Sequence, residues 1–187
     1  MRTITLKKGG TDFGPGWKTV TINGAQYGDW NGTKYLDVTF EGYPETLNAR
    51  VYAATGKNGE EFAIGQVFRF ANAGISGGLE GPDGNVLMKL DDEPSNLIGK
   101  HVNAYFYKDG EYSRVLKQFA PTVFHNEVEG FNDNDVTYWK EKAEKYYQEY
   151  VVNKGNHNTT TMNGGSADTV SQSFQLFGRR RGVNNWS

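Results

Sequence analysis

The sequence predicts a mostly β protein in which five strands form a barrel and one helix lies between the third and fourth strands. Two observations support this fold class. Several runs in the first two thirds of the chain alternate apolar and polar residues, which is the pattern of half-buried strands. One segment of the same region instead repeats its apolar residues every three or four positions, which is the period of a helix. The predicted order of elements is therefore β-β-β-α-β-β.

The first three predicted strands are short alternating runs separated by turn signals. Asn31-Gly32, between the first and second runs, is typical of a tight hairpin turn. The phase of the second run places Leu36, Val38 and Phe40 on one apolar face. The three runs cover residues 17–22, 34–40 and 47–54.

The predicted helix covers Glu60 to Ile75. Glu60 and Glu61 are expected in its first turn, where negative charge suits the helix dipole, and Gly74 is expected to end it. Because three strands precede it and two follow, we expect it to plug the core of the barrel. Its apolar stripe consists of Ile64, Val67, Phe68, Ala71 and Ile75.

The segment after this helix is predicted to be a long loop followed by a hairpin. Residues 75–96 contain too much glycine and proline for a continuous element, although NVLMKL is a candidate short strand. Residues 102–107 then alternate, Asp109-Gly110 is a turn signal, and residues 112–119 form the returning run. These two runs are the fourth and fifth predicted strands.

An amphipathic C-terminal helix and a disordered tail complete the predicted organisation. Residues 132–152 carry apolar and aromatic side chains at helical spacing, with Asn132, Asp133 or Asn134 as the cap. The residues after 152 lack apolar periodicity and are rich in Asn, Gly, Thr and Ser. We therefore divide the chain into a flexible arm (1–16), the barrel (17–128), a helix packed on the barrel (129–152) and a flexible tail with a basic end (153–187).

The composition favours a cytoplasmic protein with no membrane partner. The chain has 187 residues, no cysteine and a net charge of −2. It shows neither a signal-peptide pattern nor an apolar run long enough to span a bilayer. The absence of cysteine removes disulfides and thiolate metal sites. No segment has the strong positive excess expected of a duplex-DNA binder.

The order of elements and several segments resemble a known family. The order β-β-β-α-β-β is that of the oligonucleotide-binding (OB) fold. Over roughly residues 16–121 the chain resembles the OB-fold single-stranded-DNA-binding proteins of tailed bacteriophages, through GWKTVTINGAQYGDWNGTKYLDVTFEG, the segment ending RFANAGI, LIGKHVNAYFY and YSRVLKQFAP. The resemblance implies non-sequence-specific binding of single-stranded DNA in support of phage replication or recombination in the infected host cell. Many such proteins recruit partners through an acidic tail, whereas this chain ends in GRRRGVNNWS.

The outward residues of the predicted strands supply what a single-strand platform requires. Such a platform combines aromatic faces on which bases stack with cations that neutralise phosphates. Some of these side chains could instead lie beneath the second helix or against a partner subunit, and the tail arginines could belong to a solvated terminus. The candidates are Trp17, Tyr35, Arg50, Tyr52, Tyr105, Tyr107 and Arg114, together with Arg179, Arg180 and Arg181 in the tail.

The sequence predicts neither an enzyme nor a cofactor or metal site. His101, His125 and His157 are far apart and lack the close spacing of metal ligands. The acidic run at residues 91–93 lies beside a proline in a glycine-rich segment and is interpreted as a solvated turn. The sequence contains no phosphate-binding loop, serine elbow or dinucleotide fingerprint.

Two functions from different classes therefore remain open. The first is binding of single-stranded DNA, with the tail as a site for replication or recombination proteins. The second is a structural or adaptor role, for example in a virion, in which the barrel and tail contact other proteins. Salt-sensitive binding to oligo-dT would separate the two. The many aromatic residues of the second helix leave a dimer interface open, so a homo-oligomer is compatible with either function.

Overall fold

The computed structural model describes residues 14–57 and 59–156, and its main feature is a five-stranded antiparallel sheet. The strands are β1 (Gly16–Trp30), β2 (Thr33–Phe40), β3 (Ala49–Tyr52), β4 (Ile75–Glu80), β5 (Val86–Leu90), β6 (His101–Asp109), β7 (Tyr112–Val115), β8 (Phe124–His125) and β9 (Gly130–Phe131). The main sheet has the order β3-β2-β1-β6-β7, while β4 pairs with β5 and β8 with β9. A mostly β architecture is therefore confirmed.

The long strand β1 joins the two halves of the main sheet. Its first part pairs with β6 from Gly16 to Thr21, and its second part pairs with β2 from Ile22 to Trp30. A register shift between Ile22 and Gly24 lies where β1 changes partner. Such a bulge bends and twists its strand, which turns the two halves of the sheet toward each other.

Both predicted hairpins of the main sheet are confirmed. Asn31 and Gly32 have positive φ angles of 52° and 78° and join β1 to β2. These angles suit the hairpin turns that match the twist of the strands. The second hairpin joins β6 to β7 through Gly110, whose φ is 61°.

The prediction of a closed barrel is wrong, because the sheet stays open between β3 and β7. These two edge strands do not pair with each other. Each has only four residues. Tyr146 and Val151 of the C-terminal region line the gap between them. The five strands therefore form an open sheet whose two edges face one cleft.

The helix α1 (Ala63–Phe70) covers the core, as predicted. Ile64, Val67 and Phe68 are buried and belong to one cluster with the apolar side of the sheet. The sheet contributes Val20, Ile22, Leu36, Val38, Phe40, Ala49, Val51, Val102, Ala104, Phe106 and Val115 to this cluster.

The ends of α1 differ from the prediction. Glu61 precedes the first helical turn, and its carboxylate accepts hydrogen bonds from the amides of Ile64 and Gly65 at 2.8 and 3.1 Å. At the other end, Asn72 has a φ of 51° and stops the helix before Gly74. The helix is therefore eight residues long.

The predicted long loop contains a hairpin. Ile75, which the sequence assigns to the helix, begins β4, and β4 pairs with β5. The sequence predicts only β5, through NVLMKL, because β4 contains Gly77 and Gly78 and lacks apolar alternation. The cross-strand partners Leu79 and Leu87 remain 50% and 56% exposed.

The second helix, α2 (Asp133–Tyr147), begins at Asn132, one of the three predicted caps. The Asn132 side chain accepts a hydrogen bond from the amide of Asp135 at 3.0 Å, and the Asp135 carboxylate accepts one from the amide of Asn132 at 2.8 Å. This reciprocal arrangement is a capping box. The chain then continues through a π-helical stretch (Gln148–Val152) into a short helix α3 (Asn153–Asn156).

The first half of α2 is anchored to α1. The rings of Trp139 and Phe70 are 4.9 Å apart between centroids. Arg69 of α1 forms a bidentate pair with Glu129, with both nitrogen–oxygen distances at 2.7 Å. The Arg69 guanidinium also lies 5.3 Å from the ring centroid of Phe131. These contacts fix the start of α2 against the core.

Several predictions fall on residues outside the described ranges. They concern the first part of the N-terminal arm, the tail from residue 157 onward, and the three tail arginines Arg179, Arg180 and Arg181. Their proposed roles stay predictions. Among the residues that the structure describes, no helix is both long and apolar enough to cross a membrane.

Candidate nucleic-acid interface

The seven described candidate residues all lie on strands of the main sheet, in the phase opposite to its buried side chains. The structure separates six of them into two groups. We call Tyr35, Arg50 and Tyr52 the open cluster, and Trp17, Tyr105 and Tyr107 the covered cluster. Arg114 lies on β7, paired in register with Tyr107 of β6.

The open cluster is held together across β2 and β3. Tyr35 and Tyr52 are register partners, and their rings are 5.7 Å apart with an interplanar angle of 66°. The Arg50 guanidinium lies 3.9 Å from the centroid of the Tyr35 ring. Tyr52 is 36% exposed. Aromatic and cationic groups thus meet at one place on the sheet, as the sequence predicts.

The charge of Arg50 is already paired. Its Nε donates to Oδ1 of Asp37 at 2.8 Å, and a terminal nitrogen donates to Oδ2 at 2.7 Å. Asp37 is the register partner of Arg50 and is only 9% exposed. The hydrogen bonds from Arg50 to this carboxylate raise the pKa of Arg50. Arg50 therefore lies on the predicted face, but its charge is balanced by a fixed neighbour.

Gly28 allows Tyr35 to lie across β1. The two residues are register partners, and a Cβ on Gly28 would overlap the hydroxyl end of the Tyr35 ring. Trp30, two residues farther along β1 on the same side, is 61% exposed. Sequence reasoning missed Trp30, because the predicted first run ends at residue 22, whereas β1 continues to Trp30, directly before the Asn31-Gly32 turn.

The covered cluster lies beneath the C-terminal helix. The rings of Trp17 and Tyr105 are 5.3 Å apart, and Tyr147 of α2 lies 5.3 Å from Tyr105 and 5.1 Å from Tyr107. The indole nitrogen of Trp17 donates to the carboxylate of Glu144 at 2.6 Å. Burial is the main reason that the pKa values of Tyr105 and Tyr107 are raised. Trp17, Tyr105 and Tyr107 therefore lie beneath the second helix, which is one of the alternatives that the sequence left open.

A cleft of about 400 Å³ lies between the edge strands β3 and β7. Among the residues that the structure describes, three cations line it, Arg50, Arg114 and Lys117, and no carboxylate does. The ion pair of Arg114 with Asp109 is long, at 3.4 Å, and the Arg114 side chain is 55% exposed. The remaining lining residues are Thr46, Leu47, Asn48, Tyr107, Ser113, Val115, Leu116, Tyr146 and Val151.

Two of these cleft residues, Lys117 and Tyr146, were not identified by sequence reasoning. Lys117 lies in the predicted returning run, but β7 ends at Val115, so strand phase does not describe it. Tyr146 is assigned by the sequence to the apolar stripe of α2. The amine of Lys117 lies 5.6 Å from the Tyr146 ring. The position of these two residues in the cleft depends on how α2 packs against the open edge of the sheet, which is a tertiary contact.

Two of the residues considered for metal binding, His101 and Asp92, have other contacts. Nδ1 of His101 is 3.0 Å from the Thr21 hydroxyl. Asp92 accepts a hydrogen bond from the Tyr27 hydroxyl at 3.0 Å, so the acidic run is tied to β1 as well as solvated. Burial first, and then Asp92, raises the pKa of Tyr27. In the described ranges, no group of three potential ligands could hold a metal ion.

Comparison with known proteins gives no relative. The chain matches no family model, no curated protein and no solved structure.

Proposed function

We propose that this protein binds single-stranded DNA without sequence specificity and supports phage DNA replication or recombination. The observation that supports this most is the cleft between β3 and β7, whose lining within the described part of the chain contains three cations and no carboxylate. Arg50 belongs both to this cleft and to the open cluster. The phosphates of one extended strand would therefore contact the cleft while its bases contact the neighbouring open cluster.

The open cluster is suited to contacts with bases. Stacking on aromatic side chains tolerates any sequence, because every base has a π face. Tyr52 and Trp30 are exposed on the same side of the sheet. A strand that lies across β1, β2 and β3 would contact both, and no base edge would have to be read.

The charge distribution favours single strands over duplex. The net charge is −2, so long-range attraction for the dense charge of duplex DNA is weak. A single strand presents unpaired bases as well as phosphates, so stacking adds to the local attraction of Arg114 and Lys117. The assignment to phage replication or recombination rests on the family resemblance.

Fluorescence anisotropy with labelled oligo-dT and a matched duplex tests the proposal. We expect salt-sensitive binding to oligo-dT and much weaker binding to the duplex. Lys117→Ala removes a cleft cation that belongs to no strand, so it should lower the slope of log affinity against log salt by about 0.7. Lys89→Ala, on the exposed strand β5 outside the cleft, is the matched control. Equal affinity for both nucleic acids, or no binding to either, contradicts the proposal.

A second function, a structural or adaptor protein such as a virion component, is favoured by the β4-β5 hairpin. Leu79, Val86 and Leu87 are each at least 50% exposed there. Exposed apolar side chains on a two-stranded hairpin suit contact with another protein. Absence of oligo-dT binding, together with concentration-dependent assembly in sedimentation experiments, would favour this function.

A further inference from the structure

We infer that Arg50 is a stacking surface for a nucleobase and not a phosphate ligand. This inference rests on the proposed function and assigns a role within the same site. An arginine on an outward sheet face is suited to either role, so the residue type alone does not distinguish them. The geometry around Arg50 distinguishes them in three steps.

The first step concerns charge. Two nitrogens of the Arg50 guanidinium donate to the two carboxylate oxygens of Asp37, at 2.8 and 2.7 Å. Asp37 is 9% exposed and lies on the central part of β2, so its carboxylate is positioned beside Arg50 by the sheet. A phosphate at Arg50 would have to compete with this carboxylate at short range. The pair is already neutral, and binding a phosphate there would release little counterion.

The second step concerns orientation. The guanidinium lies 3.9 Å from the centroid of the Tyr35 ring, a distance typical of stacking. Tyr35 is itself fixed, because its ring lies over Gly28 on one strand and beside Tyr52 on the next. The Arg50 guanidinium is therefore held in place by the Tyr35 ring and by the two hydrogen bonds to the Asp37 carboxylate.

The third step concerns access. The Arg50 side chain remains 39% exposed although it is bound to both Asp37 and Tyr35. It also lines the cleft between β3 and β7. Nucleobases stack on arginine planes as they do on aromatic rings. A base that enters the cleft would extend the stack as a third layer over Tyr35 and Arg50.

Arg114 and Lys117 are better suited to phosphates. The ion pair of Arg114 with Asp109 is long, at 3.4 Å, and both side chains are exposed. Lys117 lines the same cleft, and its amine is close to the Tyr146 ring. The cleft therefore offers the guanidinium plane of Arg50 for a base and two cations for the backbone of the same strand, beside the rings of Tyr107 and Tyr146.

Arg50→Lys separates the two roles, because lysine keeps the charge and can pair with Asp37 but has no plane. The probe is a short oligo-dT with one central 2-aminopurine, whose fluorescence is quenched by stacking. We expect Arg50→Lys to weaken binding about fivefold to tenfold with an unchanged salt slope. At saturating protein, it should also lose most of the quenching. Lys117→Ala is the matched control, which should lower the salt slope and keep the quenching.

A second variant gives an independent test in case Arg50→Lys does not fold. Asp37→Asn combined with Arg50→Gln keeps the net charge and leaves no unpaired carboxylate, and it should also bind more weakly at an unchanged slope. Circular dichroism checks that both variants are folded. Wild-type affinity and quenching in Arg50→Lys would overturn the stacking role, and so would a lower salt slope in the double variant. If the wild-type protein fails to bind the probe, the proposed function itself is wrong and this inference falls with it.

Discussion

The open cluster and the covered cluster arise from the same strand pattern in the sequence but have different surroundings in the structure. Both consist of residues out of phase with a buried strand face, and the open cluster adds the cation Arg50 to its two aromatic residues. Arg50 and Tyr52 of the open cluster are exposed on the edge strand β3, whereas α2 lies over Trp17 and Tyr105 through Glu144 and Tyr147. Strand phase therefore identifies side chains that point away from the core, but it does not identify those that reach solvent.

The difference arises from where α2 begins. Trp139 and Arg69 fix the first half of the helix beside α1. From that point the helix runs over β6, so its aromatic residues meet the aromatic residues of the sheet. The covered cluster is thus part of the packing between helix and sheet, although Tyr107 also lines the cleft between β3 and β7, and the open cluster lies outside this packing. Four predictions test the shared core and the division between the open and covered clusters.

The largest expected effect concerns the core that both clusters share. Phe68 is fully buried, so Phe68→Ala should lower the free energy of unfolding by about 3 to 5 kcal/mol. Urea unfolding followed by both circular dichroism and tryptophan fluorescence measures this. We expect the two signals to change together. A loss below about 1 kcal/mol would mean that α1 is peripheral.

The second effect separates the two clusters by binding. Tyr52→Ala should weaken oligo-dT binding by about 1 to 3 kcal/mol, the usual contribution of one stacked base. Tyr105→Ala is the matched control, because Tyr147 covers it. Anisotropy titrations should show little change in the affinity of the folded Tyr105 variant. A larger loss for Tyr105→Ala than for Tyr52→Ala would reverse the assignment of the two clusters.

The third effect distinguishes the open cluster from the covered cluster by their contributions to the free energy of unfolding. Tyr147→Ala removes the ring that contacts both Tyr105 and Tyr107. It should lower the free energy of unfolding by about 1 to 2 kcal/mol while leaving oligo-dT affinity nearly unchanged. Tyr138→Ala, at a 54% exposed position on the same helix, should have a smaller effect. Equal losses in the two variants would indicate that α2 does not depend on the covered cluster.

The smallest effect is a pH dependence that belongs to the covered cluster. Burial raises the pKa of Tyr105 and of Tyr107 above the ordinary value of 10.0. The folded protein therefore holds these phenolic protons more tightly than the unfolded chain. Their contribution to stability is complete below pH 10.0 and is lost as the pH rises through the folded pKa values.

Urea unfolding at several pH values on both sides of the unfolded tyrosine pKa measures this effect. Replacing Tyr105 and Tyr107 together by Phe should make the alkaline loss of stability smaller than in the wild type. Tyr52→Phe serves as the comparison from the open cluster. Equal alkaline losses in the wild type and the Tyr105/Tyr107 variant would contradict burial of these two hydroxyls.

The sequence by itself determined the elements with strong periodicity and specific end signals. Leu36, Val38 and Phe40 are all fully buried, as their alternation predicts, and Asn31-Gly32 forms the predicted turn. The helical stripe and the cap at Asn132 are likewise local patterns, because they depend on neighbours within a few positions. The sequence also placed all seven described candidate side chains on the outward phase of their strands.

Tertiary structure decided what depends on contacts between distant segments. The strands β3 and β7 do not pair, and Tyr146 and Val151 line the gap between them, an arrangement that strand phase does not predict. The pairing of Arg50 with Asp37 requires the register of β2 against β3. Tyr105 is covered because α2 runs over β6 and places Tyr147 against it. Side-chain alternation specifies a direction relative to one strand, whereas accessibility and charge are fixed only when the other elements have packed around it.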